Sequence, residues 1–311
     1  MFSAAFAIKS SMAKLLIISG PTATGKTSLA IKLAKKFNGE LISADSRQIY
    51  LGLDIGTGKD HPKNTKIHLI DIISPNQSFS VAQYQKLAHQ KIIEIQAKNK
   101  LPIVVGGTGQ YIDSLINPNK PTYSIKPNHF LRFFLNRFST FHLQKLYSFL
   151  DKKNFDSLNN SERHNPHRLI RKIEVKLSLS NNKNSPLKIP GFDILHLSLT
   201  APTSFLYPRI DARVDSRLKM RLLAEIKGLI KKYSWSDPGL NTLAYFDFKK
   251  YFQKQASLES CISTWRFHEH SYARRQKTWF KKREALNFID ISRPNYLKQA
   301  LELTKKWYNL S

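Results

Sequence analysis

Short unbroken apolar runs along the chain alternate with longer stretches in which apolar residues recur every three or four positions. Runs of the first kind fall at 15–18, 41–42, 67–73, 101–105 and 194–199. With no polar alternation inside them, they predict strands buried on both faces, as in a parallel sheet. Residues 28–37, stopped by Asn38-Gly39, and residues 81–98 are of the second kind and predict amphipathic helices. Strands alternating with helices predict an α/β fold, a parallel sheet covered on both faces.

Residues 119–165 break this rhythm. Pro118, Pro121 and Pro127 precede an aromatic and basic stretch, 130–150, with helical spacing, and the next strand-like run comes only at 194. This reads as a helical insertion in the core, followed by a polar loop over 181–190. The last third is mostly helical, at about 204–233, 258–288 and 296–308. The expected organisation is an N-terminal extension over 1–13, with Met12 as a second candidate start. The first part of the core follows over 14–118, then the insertion over 119–165. Residues 166–311 supply the remainder of the core and a helical C-terminal region. No internal repeat is visible.

Composition narrows the class. At 311 residues and 41% hydrophobic, the chain can bury a sizeable core. No apolar run approaches the length that spans a bilayer, so no membrane helix is expected. A lone cysteine, Cys261, excludes a disulfide scaffold and a Cys-rich zinc finger, and fits a reducing compartment, hence a cytoplasmic location. Lysine and arginine number 50 against 22 acids, a net charge of +28. Residues 201–311 alone hold 22 bases and 10 acids. A polyanionic partner accounts for such an excess, as does a Lys-, Asn- and Ile-rich compositional bias.

Candidate chemistry sits at the ends of the predicted strands. Gly20-Pro21-Thr22-Ala23-Thr24-Gly25-Lys26-Thr27 matches G-x-x-x-x-G-K-[ST] between an apolar strand and an amphipathic helix. In that context the pattern is a phosphate loop: glycines turn backbone N–H groups inward, Lys26 reaches the outer phosphates and Thr27 can hold Mg²⁺. Asp71, ending the run 67–71, reads equally as a metal partner or a capping acid. Asp45, after the second strand, reads as a carboxylate facing the phosphates or as an N-cap. A second glycine turn runs from Gly106 to Tyr111. Arg209 and Arg213, four apart on one predicted helix, would grip a diphosphate together or form a solvated face with Asp211 and Asp215.

Taken together, these segments resemble tRNA dimethylallyltransferases (tRNA isopentenyltransferases). The resemblance is carried, in the family's order, by residues 20–27, 43–50, 53–57, 68–72 with 78–84, 106–112, 167–171 with 174–175, 209–215 and 272–280. It implies a P-loop NTPase-like parallel sheet flanked by helices. It also implies transfer of a dimethylallyl group from dimethylallyl diphosphate to N6 of adenosine 37 in tRNA, by a monomer. Asp45 would then be the general base, with Thr108 at the reacting centre. Gly20, Thr22, Ala23, Thr24, Gly25, Lys26, Thr27, Arg209, Arg213 and Mg²⁺ would hold the diphosphate. Asp45, Ser46, Arg47 and Gln48 would hold the extruded nucleotide. Arg168, Arg171, Arg274, Arg275 and Gln276 would grip the anticodon stem-loop, with Lys281, Lys282 and Arg283 on phosphates.

Two runs depart from the family pattern. Asn241-Thr242-Leu243-Ala244-Tyr245-Phe246-Asp247 stands where the family usually has Gln-x-Ile-Gly-Tyr-Lys/Arg-Glu, so Ala244 replaces glycine and Phe246 a base. His270 replaces an arginine. A P-loop nucleoside or small-molecule kinase would explain the phosphate loop and Asp45 but not 272–280 or the basic C-terminal third. A prenyltransferase of free adenine nucleotides would share the core chemistry without the anticodon grip. A non-catalytic RNA-binding protein on a decayed enzyme scaffold would account for the altered 241–247 run.

Overall fold

The computed structural model describes residues 12–60, 62, 65–116, 125, 127–181, 191–283 and 285–309. The expected N-terminal extension and the polar loop over 181–190 fall almost wholly outside them. In chain order the elements are β1 (Lys14–Ser19), α1 (Lys26–Lys36), β2 (Gly39–Ser43), β3 (Ile67–His68), α2 (Val81–Gln96), β4 (Leu101–Val105) and α3 (Gly109–Ile116). There follow α4 (His129–Leu135), α5 (Thr140–Leu150), α6 (Lys152–Asp156), α7 (Asn160–Arg163) and α8 (Pro166–Asn181). The chain then returns as β5 (Asp193–Thr200), α9 (Thr203–Lys219), α10 (Leu222–Leu229), α11 (Lys249–Phe252), α12 (Leu258–Lys281), β6 (Asn287–Asp290) and α13 (Tyr296–Asn309).

The strands form one sheet in the order β3-β2-β4-β1-β5-β6, every neighbouring pair parallel. The unbroken apolar runs are explained by its two covered faces. Leu16 and Ile18 of β1 pack with Leu29 and Leu33 of α1, Leu206 and Ile210 of α9 and Ala300 of α13. Leu15 and Ile17 pack with Tyr84, Ala88 and Ile92 of α2 and Tyr111 and Ile112 of α3. Strand order reverses at β1, with β4 on one side and β5 on the other. Loops at the carboxyl ends diverge there and leave a crevice.

Several elements differ from their sequence pattern. The run 67–73 is strand only over Ile67–His68, because Leu69 and Asp71 take left-handed φ of 62° and 55° and turn the backbone away. The stretch 204–233 divides into α9 and α10 at Arg221, φ 70°. The stretch 130–150 divides at Ser139, whose side chain caps α5 by accepting the His142 N–H. The stretch 258–288 ends as helix at Lys281 and resumes as β6 at the sheet edge, after Ala285 at φ 58°.

The chain forms two compact units, Met1–Pro118 with Ile189–Ser311, and Asn119–Lys188. The second holds α4 to α8 around Leu135, Leu143, Tyr147, Leu158, Leu169, Ile170 and Ile173. The insertion therefore continues past 165, where its sequence rhythm ends, because α8 buries its apolar stripe against α5 rather than against the sheet.

Candidate functional site

β1 enters α1 through a turn that only certain backbones can make. Gly20 has φ 137°, and a Cβ there would lie 2.3 Å from the Leu199 carbonyl oxygen. Gly25, φ 77°, precedes the first turn of α1, and Ala23 also takes a left-handed φ of 62°. Thr24 Oγ1 donates to the Pro21 carbonyl at 2.8 Å and Lys26 Nζ to the same oxygen at 2.6 Å. The loop thus closes on itself, with the ammonium of Lys26 folded over it.

Above it lies a cavity of about 530 Å³. Its walls are the phosphate loop (Thr22, Ala23, Gly25, Lys26, Thr27), the segment after β2 (Asp45, Arg47, Gln48), Gly106 and Gly107 after β4, and residues of α9 and α12. From α9 come Arg209, Arg213 and Arg217, successive positions on one helical face. Arg209 Nε donates to the Ala23 carbonyl at 3.0 Å and Arg213 Nη1 to Thr22 Oγ1 at 2.8 Å. Arg217 pairs with Glu269 of α12, Nη1 to Oε1 3.3 Å. Gly58, φ 62°, lets its loop pass these guanidinium groups: a Cβ there would lie 2.3 Å from Arg217 Nη2 and 2.9 Å from Arg213 Nη2.

Crowded cations shift one another. Burial, and then Arg213, pull the Lys26 ammonium down to about 7, against the charges of Asp45 and Asp60, which favour its protonated form. Burial and the neighbouring Arg217 bring Arg213 down to about 10. Such a cluster has charge that a polyphosphate would satisfy.

On the opposite side, Asp45 Oδ1 accepts the Arg47 N–H at 2.9 Å, so the carboxylate is held by its own turn while it lines the cavity. Thr108 Oγ1 accepts the Ser46 N–H at 3.0 Å and lies 3.3 Å from Ser46 Oγ, tying the second glycine turn to this segment. Ser43 Oγ donates to Gln48 Oε1 at 3.3 Å, and Gln48 Nε2 donates to the Gly58 carbonyl at 3.2 Å. Burial and then Asp45 push the Tyr272 pKa up.

Other expected site residues stand in varied settings. Gln276 is buried and spends its amide on the protein: Oε1 accepts the Thr22 N–H at 2.8 Å and Nε2 donates to the Gly107 carbonyl at 3.0 Å. It braces two glycine turns. Arg274 donates to the Tyr207 hydroxyl and to Ser271 Oγ, each at 2.7 Å. Arg275 is exposed and lines the cavity. Arg283, expected on a phosphate, is committed to Asp113 through Nε and Nη2. Arg168 and Arg171 belong to the second unit, where Arg168 donates to Ser161 Oγ and Arg171 neutralises the buried Glu174. Asp71 does not line this cavity; Lys59 pairs with it. His270 bonds Asp211 at 2.9 Å and stacks on Tyr207, centroids 4.0 Å apart.

Sequence reading passed over Arg217, Glu269 and Asp60, and marked the 241–247 run only as a departure from the family pattern, though Asn241, Thr242, Leu243 and Phe246 line the cavity. A signal existed for two of them. Arg217 continues the four-residue spacing of Arg209 and Arg213. Glu269 and Gln276 fall in the stripe of α12 that otherwise buries Cys261, Trp265, Ala273 and Phe280. Polar residues at buried positions mark a site or a brace.

A model of the IPP transferase family matches residues 48–283. A tRNA dimethylallyltransferase of Roseiflexus castenholzii is 35% identical over 96% of this chain and 100% of its own. One of Bacillus pumilus is 32% identical over 95% of each. Among solved structures, the tRNA isopentenylpyrophosphate transferase of Bacillus halodurans is 32% identical with a TM-score of 0.69, covering 95% of this chain and 97% of that one. A eukaryotic dimethylallyltransferase acting on tRNA is 26% identical with a TM-score of 0.79, covering 95% and 79%.

Proposed function

The chain belongs to the IPP transferase family, and from that membership we propose that it transfers a dimethylallyl group from dimethylallyl diphosphate to N6 of adenosine 37 in tRNA. The observation that carries this reading is one cavity with Lys26, Arg209 and Arg213 on one wall and Asp45 on another. That spacing of charge suits a reaction that expels an anion at one end and loses a proton at the other.

An exocyclic amine is a weak nucleophile because its lone pair is shared with the ring. As the N6–C bond forms, Asp45 takes the N6 proton. The bond from the allylic carbon to the diphosphate oxygen breaks, and its electron pair leaves with the diphosphate. Lys26, Arg209, Arg213 and the N–H groups of the phosphate loop stabilise the charge that grows there. Thr108, bonded to Ser46, keeps the Asp45 segment in register with the second glycine turn. Ser46, Arg47 and Gln48 hold the nucleotide outside its stack.

Mg²⁺ fits this arrangement. Thr27, in the first turn of α1, lines the cavity, and no group of three or more His, Cys, Asp or Glu side chains suited to a metal occurs among the described residues. An ion that takes most of its ligands from phosphates and water needs no more protein than that. Thr27 would hold it, and when bound it supplies neutralising charge to the diphosphate.

The test is incubation of the protein with dimethylallyl diphosphate and either unmodified tRNA or free AMP, read by nucleoside mass spectrometry. Isopentenyladenosine in the tRNA is expected; product from AMP alone would make the chain a free-nucleotide prenyltransferase. Asp45→Asn should lower turnover by at least about a hundredfold with tRNA affinity within a few-fold of wild type. Equal loss of both would make Asp45 structural.

A further inference from the structure

Phe246 stands at the solvent edge of the cavity with 48% of its surface exposed, between residues that are firmly anchored. Tyr245 is fully buried, its hydroxyl donating to Glu225 Oε1 at 2.6 Å and accepting the Gly56 N–H at 3.1 Å. Asp247 is buried, accepts the Ala244 N–H at 3.0 Å and pairs with His268 Nδ1 at 2.6 Å. Phe248 is fully buried with its ring edge-on to Trp265, centroids 5.7 Å apart. Ala244, at φ 73°, sets the turn from which the segment departs.

These anchors fix the backbone on both sides of Phe246, while none of the hydrophobic clusters among the described residues takes in its ring. Phe246 therefore leaves about half of its surface in water on a rigid mount. It shares the cavity wall with Arg47, Gln48, Asn241 and Arg275, of which Arg47, Asn241 and Arg275 are also exposed. A ligand that satisfies such a rim has a flat apolar face and a polar edge. That describes a nucleobase. An aliphatic chain would cover the ring but leave the amides and guanidinium groups beside it unmatched.

Building on the proposed function, we infer that Phe246 is a stacking platform for an unpaired base of the tRNA substrate. It replaces, with a salt-insensitive contact, the ionic contact that a lysine or arginine at this position would make. A planar face recognises any base, so the residue contributes affinity and positioning rather than sequence choice.

The experiment uses Phe246→Leu, which keeps an apolar side chain but removes the ring, Phe246→Trp, which keeps a ring, and Phe246→Lys. Each full-length variant is measured for tRNA binding between about 50 and 200 mM salt and for KM toward both substrates. Phe246→Leu should weaken tRNA binding by about tenfold with an unchanged salt slope, an unchanged KM for dimethylallyl diphosphate and an unchanged melting temperature. Phe246→Trp should restore binding. Phe246→Lys should regain affinity only at low salt, with a slope steeper by about 0.7 to 0.9. The inference is overturned if Phe246→Leu binds tRNA within twofold of wild type, if Phe246→Trp behaves like Phe246→Leu, or if the KM for dimethylallyl diphosphate moves instead. A wild-type chain that transfers nothing to tRNA would overturn the function on which it rests.

Discussion

Lys26 is held in two opposing fields. Burial and Arg213 disfavour its charge, Asp45 and Asp60 favour it, and the balance leaves a pKa of about 7. A bound diphosphate favours the ammonium and raises that value. Lys26 is therefore already charged below pH 7, and binding above pH 7 must draw in a proton. Affinity for the diphosphate should fall as pH rises from 7 toward the bound pKa, by up to about tenfold per unit. Calorimetry at about pH 8 in buffers of differing ionisation enthalpy should show proton uptake; Lys26→Met should abolish that uptake, and uptake that persists would move the titration to another group. The motif around Lys26 was legible in sequence because a phosphate loop is made by consecutive residues under steric rules. The role of Gln276 was not. Its partners Thr22 and Gly107 lie 254 and 169 residues away, and a glutamine in a basic helix looks the same whether it braces a loop or reads a base.

Among the elements, the long loop between β2 and β3 shows how local backbone serves a distant helix. Gly58 combines a left-handed φ with guanidinium groups of α9 where a Cβ would stand. Gly58→Ala should cost about 1–2 kcal/mol in denaturant melts and weaken diphosphate binding as Arg213 and Arg217 move aside. Gly228 in α10 is the counterpart, with nothing within 4 Å of an added Cβ. Gly228→Ala should stabilise by up to about 1 kcal/mol and leave binding alone. Equal effects at both positions would remove the loop from the site. Elements marked by apolar periodicity were legible: β1, β2, β4, β5, α1 and α2 all stand within a few residues of their patterns. Those that failed, β3, β6 and the breaks after α4 and α9, depend on a single capping side chain, a single positive φ, or a short strand finding the sheet edge. Neither leaves an apolar signature.

Across the whole molecule, charge and pH act together. Several bases in the +28 excess are occupied internally, among them Lys14 with Asp193, Lys59 with Asp54 and Asp71, Arg132 and Arg171 with Glu174, and Arg283 with Asp113. His196, in the centre of β5, is bonded to Ser19 at 2.8 Å and brought down to about 4 by burial. Its folded pKa lies below the unfolded value, so the unfolded chain binds the proton first. Stability is full above about pH 6.5 and is lost as pH falls toward 4, by at most about 3 kcal/mol. Glu40, held at about 2 chiefly by Lys100, acts in the next window, its contribution lost between about pH 4.5 and 2. Denaturant midpoints measured across this range should fall in two stages, and His196→Gln should flatten the first; an unchanged first stage would place its origin elsewhere. The sequence by itself determined β1, β2, β4 and β5, the phosphate loop and the family's order of motifs, because each is written in neighbouring residues and obeys local sterics or periodicity. The tertiary structure alone decided that Gln276 is a brace, that Arg217 and Glu269 join the cavity, that Arg283 is occupied by Asp113, and that Phe246 stays exposed between buried anchors. Those outcomes depend on which distant residues the sheet reversal and the long helix α12 bring together, and no local pattern encodes that meeting.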